Sequence, residues 1–130
     1  KSFKTLLTDM WETSTCPASS VSIQPSKQGI ISAWETRGNV FASTFINGKR
    51  ESPVSPERGI KRKFPFAVRN SKGETLLTWV EDVGWGTEGK LGWQVFLQES
   101  KPHLVNKSEV PKWSFAQGFV DNKGDFVIVY

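Results

Sequence analysis

Short apolar runs, each closed by a turn carrying glycine or asparagine, recur along this chain. The clearest set lies between Phe64 and Gln98. An extended run, Phe64 to Arg69, leads into the polar turn Asn70-Ser71-Lys72-Gly73. A second run, Glu74 to Glu81, is followed by the glycine-laden loop Asp82 to Lys90 and a third run, Leu91 to Gln98. Runs of this length, rich in Thr, Val, Phe and Trp and bounded by Gly and Asn, predict strands joined as hairpins.

The same pattern extends in both directions. Phe3 to Thr8 reads as a leading strand. Ser20 to Gln24 reads as a short strand, Pro25 to Gln28 as a turn, and Gly29 to Glu35 as the strand that follows. Thr36-Arg37-Gly38-Asn39 is a tight turn into Val40 to Ile46, and Asn47-Gly48 is a hairpin signal. Glu51 to Gly59, with Pro53 and Pro56, predicts a loop around at most a very short outer strand. Lys101 to Lys112 predicts an outer strand near Leu104-Val105-Asn106. The chain closes with Trp113 to Val120, the turn Asp121 to Gly124, and Asp125 to Tyr130.

Three of these pieces superpose without gaps: Ile23 to Trp34, Val68 to Trp79, and Phe119 to Tyr130. Each is strand, polar turn with Lys at one fixed place, then a strand ending in a large aromatic. The aromatics at 34, 79 and 130 lie 45 and 51 residues apart. A period of this size, with several strands per unit, is the signature of β-propeller blades; a β-sandwich with similar hairpins is the competing architecture. The expectation is an all-β fold, a partial β-propeller of about three four-stranded antiparallel blades. One domain spans 1–130, with blade-like units at about 1–19 (partial), 20–59, 60–112 and 113–130 (partial). Propellers close with roughly four to eight blades. A shorter arc leaves apolar faces uncovered, which predicts self-association as a homodimer or higher oligomer.

Composition sharpens this picture. The 130 residues include six Trp, nine Phe, eleven Gly and seven Pro, which suits aromatic-dominated packing of strands more than helices. No run of about 18 apolar residues predicts a membrane-spanning helix, and Lys1 to Leu7 lacks the apolar core and cleavage site of a signal peptide. The compartment stays unknown. The net charge is +4, from scattered Lys and Arg, with one cluster at Lys61-Arg62-Lys63. A solvated loop or strand edge accounts for that cluster better than a nucleic-acid patch, since no nucleic-acid module accompanies it.

Several stretches then resemble one bacterial group. They are Cys16-Pro17-Ala18-Ser19, Ala33 to Phe41, Lys61 to Asn70, Gly73 to Trp79, and Gly84 to Phe96. Together they resemble the C-terminal half of bacterial sialidase-like (BNR-type) β-propeller proteins, over roughly Trp11 to Tyr130. The resemblance implies blades and a glycan ligand, in a group whose members are often exported. It also implies what catalysis of that type needs: an arginine triad, a Tyr/Glu nucleophile pair and an acidic proton donor. Arg37, Arg50, Arg58, Arg62 and Arg69 are present, but no spacing selects three. Tyr130, the one tyrosine, sits where Trp34 and Trp79 sit in the other units, a core-packing position. The recurrent Asp-box turn of sialidases is not matched, because Ser71-Lys72-Gly73-Glu74 has no Asp. A non-catalytic binding or scaffold module is therefore expected, with a degenerate glycosidase, active only as an assembled oligomer, as the alternative.

The chemistry-bearing side chains fit that expectation. His103 is the single histidine, beside Pro102 in a predicted loop, and Cys16 is the single cysteine, without a partner. No cofactor or metal set is expected. The adjacent carboxylates Glu81 and Asp82 point to opposite faces of an extended chain. In the loop that follows them, Gly84, Gly86 and Gly89 let backbone approach a ligand, and Trp85 offers a flat apolar face. In antiparallel order this loop shares a rim with the turn at Arg37. The candidate ligand-binding residues are Arg37, Glu81, Asp82, Trp85, Glu88 and Lys90.

Overall fold

A computed structural model describes residues 3, 5, 8, 10, 12, 21–57, 59, 61–82, 89–97, 102–109 (as backbone) and 115–130. Among these residues there is no helix, and every strand pairing is antiparallel. The first sheet is a meander of β1 (Ser22–Ser26), β2 (Gly29–Thr36), β3 (Asn39–Ile46) and β4 (Lys49–Arg50). The second is a meander of β5 (Lys63–Arg69), β6 (Thr75–Glu81), β7 (Lys90–Phe96) and β8 (Pro102–Glu109). A two-stranded sheet of β9 (Gln117–Val120) and β10 (Phe126–Val129) follows.

The turn chemistry explains these hairpins. Arg37-Gly38 and Asn47-Gly48 each carry positive φ at both positions, 54° with 71° and 51° with 76°. This is the twist that suits a two-residue hairpin connection. The turns Asn70–Glu74 and Asp121–Asp125 share one hydrogen-bond scheme. In each, the leading side chain's Oδ1 accepts from the backbone N–H groups two and four residues on. The backbone closes the same loop, with the leading N–H donating to the carbonyl four residues later and a glycine N–H donating back. The repeat read from the sequence is thus a physical repeat in these two turns.

The first unit departs from it. Its turn is only Lys27-Gln28, with Pro25 and Ser26 still paired in β1. Proline is tolerated there because β1 lies at a sheet edge and needs no donor on its open side. The outer strands also differ from expectation. β4 lies at Lys49–Arg50, before the predicted loop, and only Val54 bridges back to Ala42. β8 runs over Pro102–Glu109, longer than the three residues expected, and it contains His103, which was expected in a loop. The leading strand at 3–8 falls largely outside the described residues, as does Cys16.

The three sheets stack in chain order. β5 packs against β1, β2 and β3, and β9 packs against β5 and β6. One face of the second sheet meets the first: Ala67, Leu77, Trp79 and Phe96 pack with Ile31, Ala33, Val40 and Ala42. Its other face meets the third, where Phe64, Val80 and Leu91 pack with Ala116, and Trp93 and Ile128 lie alongside. β6 is therefore buried at every position. A bulge in β5 between Lys63 and Phe66 holds Phe64 at φ 55°, against the tilted ring of Phe115. Bulges commonly re-aim a side chain in this way.

Trp79, fully buried, is admitted by the small residue opposite it. Gly92 is its register partner on β7, and a Cβ at Gly92 would overlap the indole ring. Gly92→Ala should therefore destabilise the chain by about 1–3 kcal/mol through overpacking. Urea unfolding followed by tryptophan fluorescence measures this, and an unchanged midpoint would contradict the packing described.

Candidate functional site

The rim that holds the sequence-predicted residues is organised by Arg62. The Arg62 backbone N–H donates to the Gly38 carbonyl, tying the start of β5 to the β2–β3 turn. Its guanidinium lies 5.0 Å from the Trp79 ring centre. Nε donates to Glu81 Oε1 at 2.7 Å, while Nη1 donates to the Glu57 carbonyl at 2.6 Å and to Asn39 Oδ1 at 3.2 Å. Glu81 Oε1 also accepts from Trp79 Nε1 at 2.9 Å. Both charged side chains are buried. A buried carboxylate held by a guanidinium and an indole N–H is satisfied where it stands. Glu81 is thus a structural acid at the end of β6, with its carboxylate already engaged.

Sequence reading assigned Lys61-Arg62-Lys63 to a solvated run. Only Lys61 is exposed, while Arg62 and Lys63 are buried. The reason is tertiary: the run enters β5 between two sheets, and the Glu81 carboxylate waits there for Arg62. No local pattern in the sequence announces that pairing, which spans 19 positions.

Of the other candidates, Arg37 is exposed and forms a two-pronged ion pair with Glu12, at 2.8 and 2.9 Å. The Arg37 backbone N–H donates to the Glu12 carbonyl as well. The hydrogen bond and the charge of Arg37 hold the Glu12 carboxyl below its ordinary value of 4.5, and the same contact raises Arg37. Asp82 is exposed with φ 57°. Lys90 is exposed and is the cross-strand partner of Glu81. Arg37, Glu81, Asp82 and Lys90 therefore share one rim, but Arg37 and Glu81 are each committed to a protein partner. Trp85 and Glu88 lie outside the described residues. Among the described residues no three His, Cys, Asp or Glu side chains cluster as metal ligands do.

A second place was not legible in the sequence. The first strand of each sheet, β1, β5 and β9, contributes to one groove. Gln24, Phe66, Gln117 and Phe119 line a hollow of about 500 Å³, with Phe115, Val129 and Tyr130 at its border. An adjoining hollow of about 400 Å³ continues past Ile23, Phe64 and Ala116. Two carboxamides beside half-exposed aromatic rings can hydrogen-bond hydroxyls and stack on an apolar ring face. Tyr130 was expected in the core, yet it is 65% exposed. Trp79 at the equivalent register lies under the first sheet, whereas Tyr130 lies one residue past β10, in a sheet that has two strands among the described residues.

No protein-family model, curated protein or solved structure matches the chain.

Removing one partner of a buried ion pair strands the other charge, at about 3–5 kcal/mol. Glu81→Ala should lose stability on that scale in urea unfolding, and a loss below about 1 kcal/mol would contradict the buried pairing. The exposed Glu12–Arg37 pair should behave differently. Its carboxylate pKa is lowered by folding, so its stabilisation is present above pH 4.5 and fades as pH falls through the lowered value. Carboxyl carbon NMR of Glu12 should titrate below 4.5, returning toward it in Arg37→Ala.

Proposed function

We propose that this chain is a non-catalytic binding or scaffold module, a part of a β-propeller of the sialidase-like type that its motifs resemble. A second copy completes the ring. The observation that carries this reading is the chain-order stack of antiparallel sheets whose first strands, β1, β5 and β9, are neighbours around one groove. That order suits blades set around an axis, with each first strand innermost.

The two outer faces of the stack support self-association. On the first sheet Ile23 is 64% exposed, and Val21 and Ile30 are exposed with it; on the third, Phe119 is 50% exposed beside Val129. Ile23 and Phe119 also border the groove at β1, β5 and β9, so these patches run from the groove onto the faces that would meet a preceding and a following blade. Apolar residues clustered in this way mark interaction surfaces, and head-to-tail docking of two arcs closes under two-fold symmetry. A glycan is the ligand class that the groove's amides and aromatic rings favour. Binding rather than hydrolysis is supported by Glu81, whose carboxylate is engaged by Arg62 and Trp79.

Size-exclusion chromatography with light scattering at micromolar concentration should give a dimer or a higher closed oligomer. Phe119→Lys combined with Ile23→Lys should shift it to a folded monomer. A wild-type monomer, or an oligomer unaffected by both changes, would overturn the shared ring.

A further inference from the structure

At the rim opposite Glu81, the first and second sheets part to leave a cleft of about 370 Å³. Arg69, the last residue of β5, lines it with a side chain only 4% exposed. Its Nη1 donates to Thr44 Oγ1 at 2.8 Å and to Glu51 Oε2. Its Nε is buried and has no hydrogen-bond partner among the described residues. An unsatisfied buried donor costs about 1–3 kcal/mol, and more when it belongs to a charged group. Such a group in a native fold calls for an acceptor.

We propose that this cleft binds a small uncharged polyol, with Arg69 donating from its Nε edge and Glu51 at the mouth accepting. Charge decides the class. Glu51 already neutralises Arg69, so a ligand carboxylate would have to share one guanidinium with a second anion at close range. A hydroxyl oxygen satisfies Nε without adding charge. The surroundings suit such a molecule: Ser52 and Thr75 bring hydroxyls, while Val54 and Phe96 supply apolar wall for C–H faces. The volume lies within the range of small-ligand pockets, about 300–1,000 Å³.

The pair is also held ready. The Glu51 backbone N–H donates to the Thr44 carbonyl at 2.9 Å, and the Ser43 hydroxyl donates to the Glu51 carbonyl at 2.8 Å. Glu51 is thereby fixed to β3, and little ordering remains to oppose binding. No residue lining the groove at β1, β5 and β9 lines this cleft, and its residues all come from one chain, so a monomeric protein would leave it intact.

The test is NMR of the arginine Nε–H signals in the full chain, titrated separately with D-glucose, D-galactose, myo-inositol and sodium acetate. At least one polyol should shift the Arg69 Nε–H signal and the Gly73 and Phe96 amides saturably, and acetate should not. Arg69→Lys keeps the charge but lacks the Nε donor, and should weaken binding on the order of tenfold or more. Ser52→Trp, on an exposed loop position, should block the mouth while the remaining amide spectrum stays that of the folded chain. Three results would overturn the site: no saturable shift with any polyol, tighter binding of acetate, or binding untouched by Ser52→Trp in a folded protein.

Discussion

The fold depends on keeping both faces of the second sheet dry. Trp79 is where that constraint is tightest. Its ring lies against the small residues of the first sheet, over the bare backbone of Gly92, with the Arg62 guanidinium across it. Its one polar atom is satisfied by Glu81, which in turn neutralises Arg62. A desolvated cation–π contact is worth about 2 kcal/mol or more, and none of these groups could be buried singly at tolerable cost. The same Arg62 is bonded to the β2–β3 turn through its backbone, so one node fixes where the second sheet meets the first.

Comparing the repeated units shows how context separates equivalent positions. Trp34 and Trp79 close the same strand in successive sheets. Opposite Trp79 stands Gly92; opposite Trp34 stands Phe41, stacked on it at 5.8 Å, with Arg50 over the indole at 4.9 Å. Trp79 donates its N–H to Glu81, whereas Trp34 Nε1 is buried and has no partner among the described residues. Tyr130, third in the series, has no sheet over it among the described residues and is exposed. The order of strand, turn and strand is kept, with a shorter turn in the first unit, while the side-chain environment changes from unit to unit. What differs is the surface laid against each sheet.

That difference decides which polar groups pair within the protein and which are left over. Between the first and second sheets Arg62, Trp79 and Glu81 pair with one another, whereas Gln94, fully buried on β7, has neither carboxamide atom hydrogen-bonded among the described residues. Where sheets diverge, donors and ring faces are left over: Arg69 Nε between the first and second sheets, and the carboxamides and aromatics where β1, β5 and β9 converge.

Much of the strand and turn plan was legible before any coordinates. Arg37-Gly38, Asn47-Gly48, Asn70–Gly73 and Asp121–Gly124 are turns because short-range chemistry, namely positive φ and side-chain capping of backbone N–H groups, decides them locally. The short turns between successive runs likewise set the all-antiparallel character. What the residues could not disclose were partners far apart in the chain. Arg62 reads as part of a basic run until Glu81 is brought beside it, Arg69 as one arginine among several until Glu51 and Thr44 surround it, and Tyr130 as a core aromatic until its ring is found exposed beyond the end of β10. Local dihedral preference is written residue by residue. Burial and charge pairing belong to surfaces that exist only once the sheets have met.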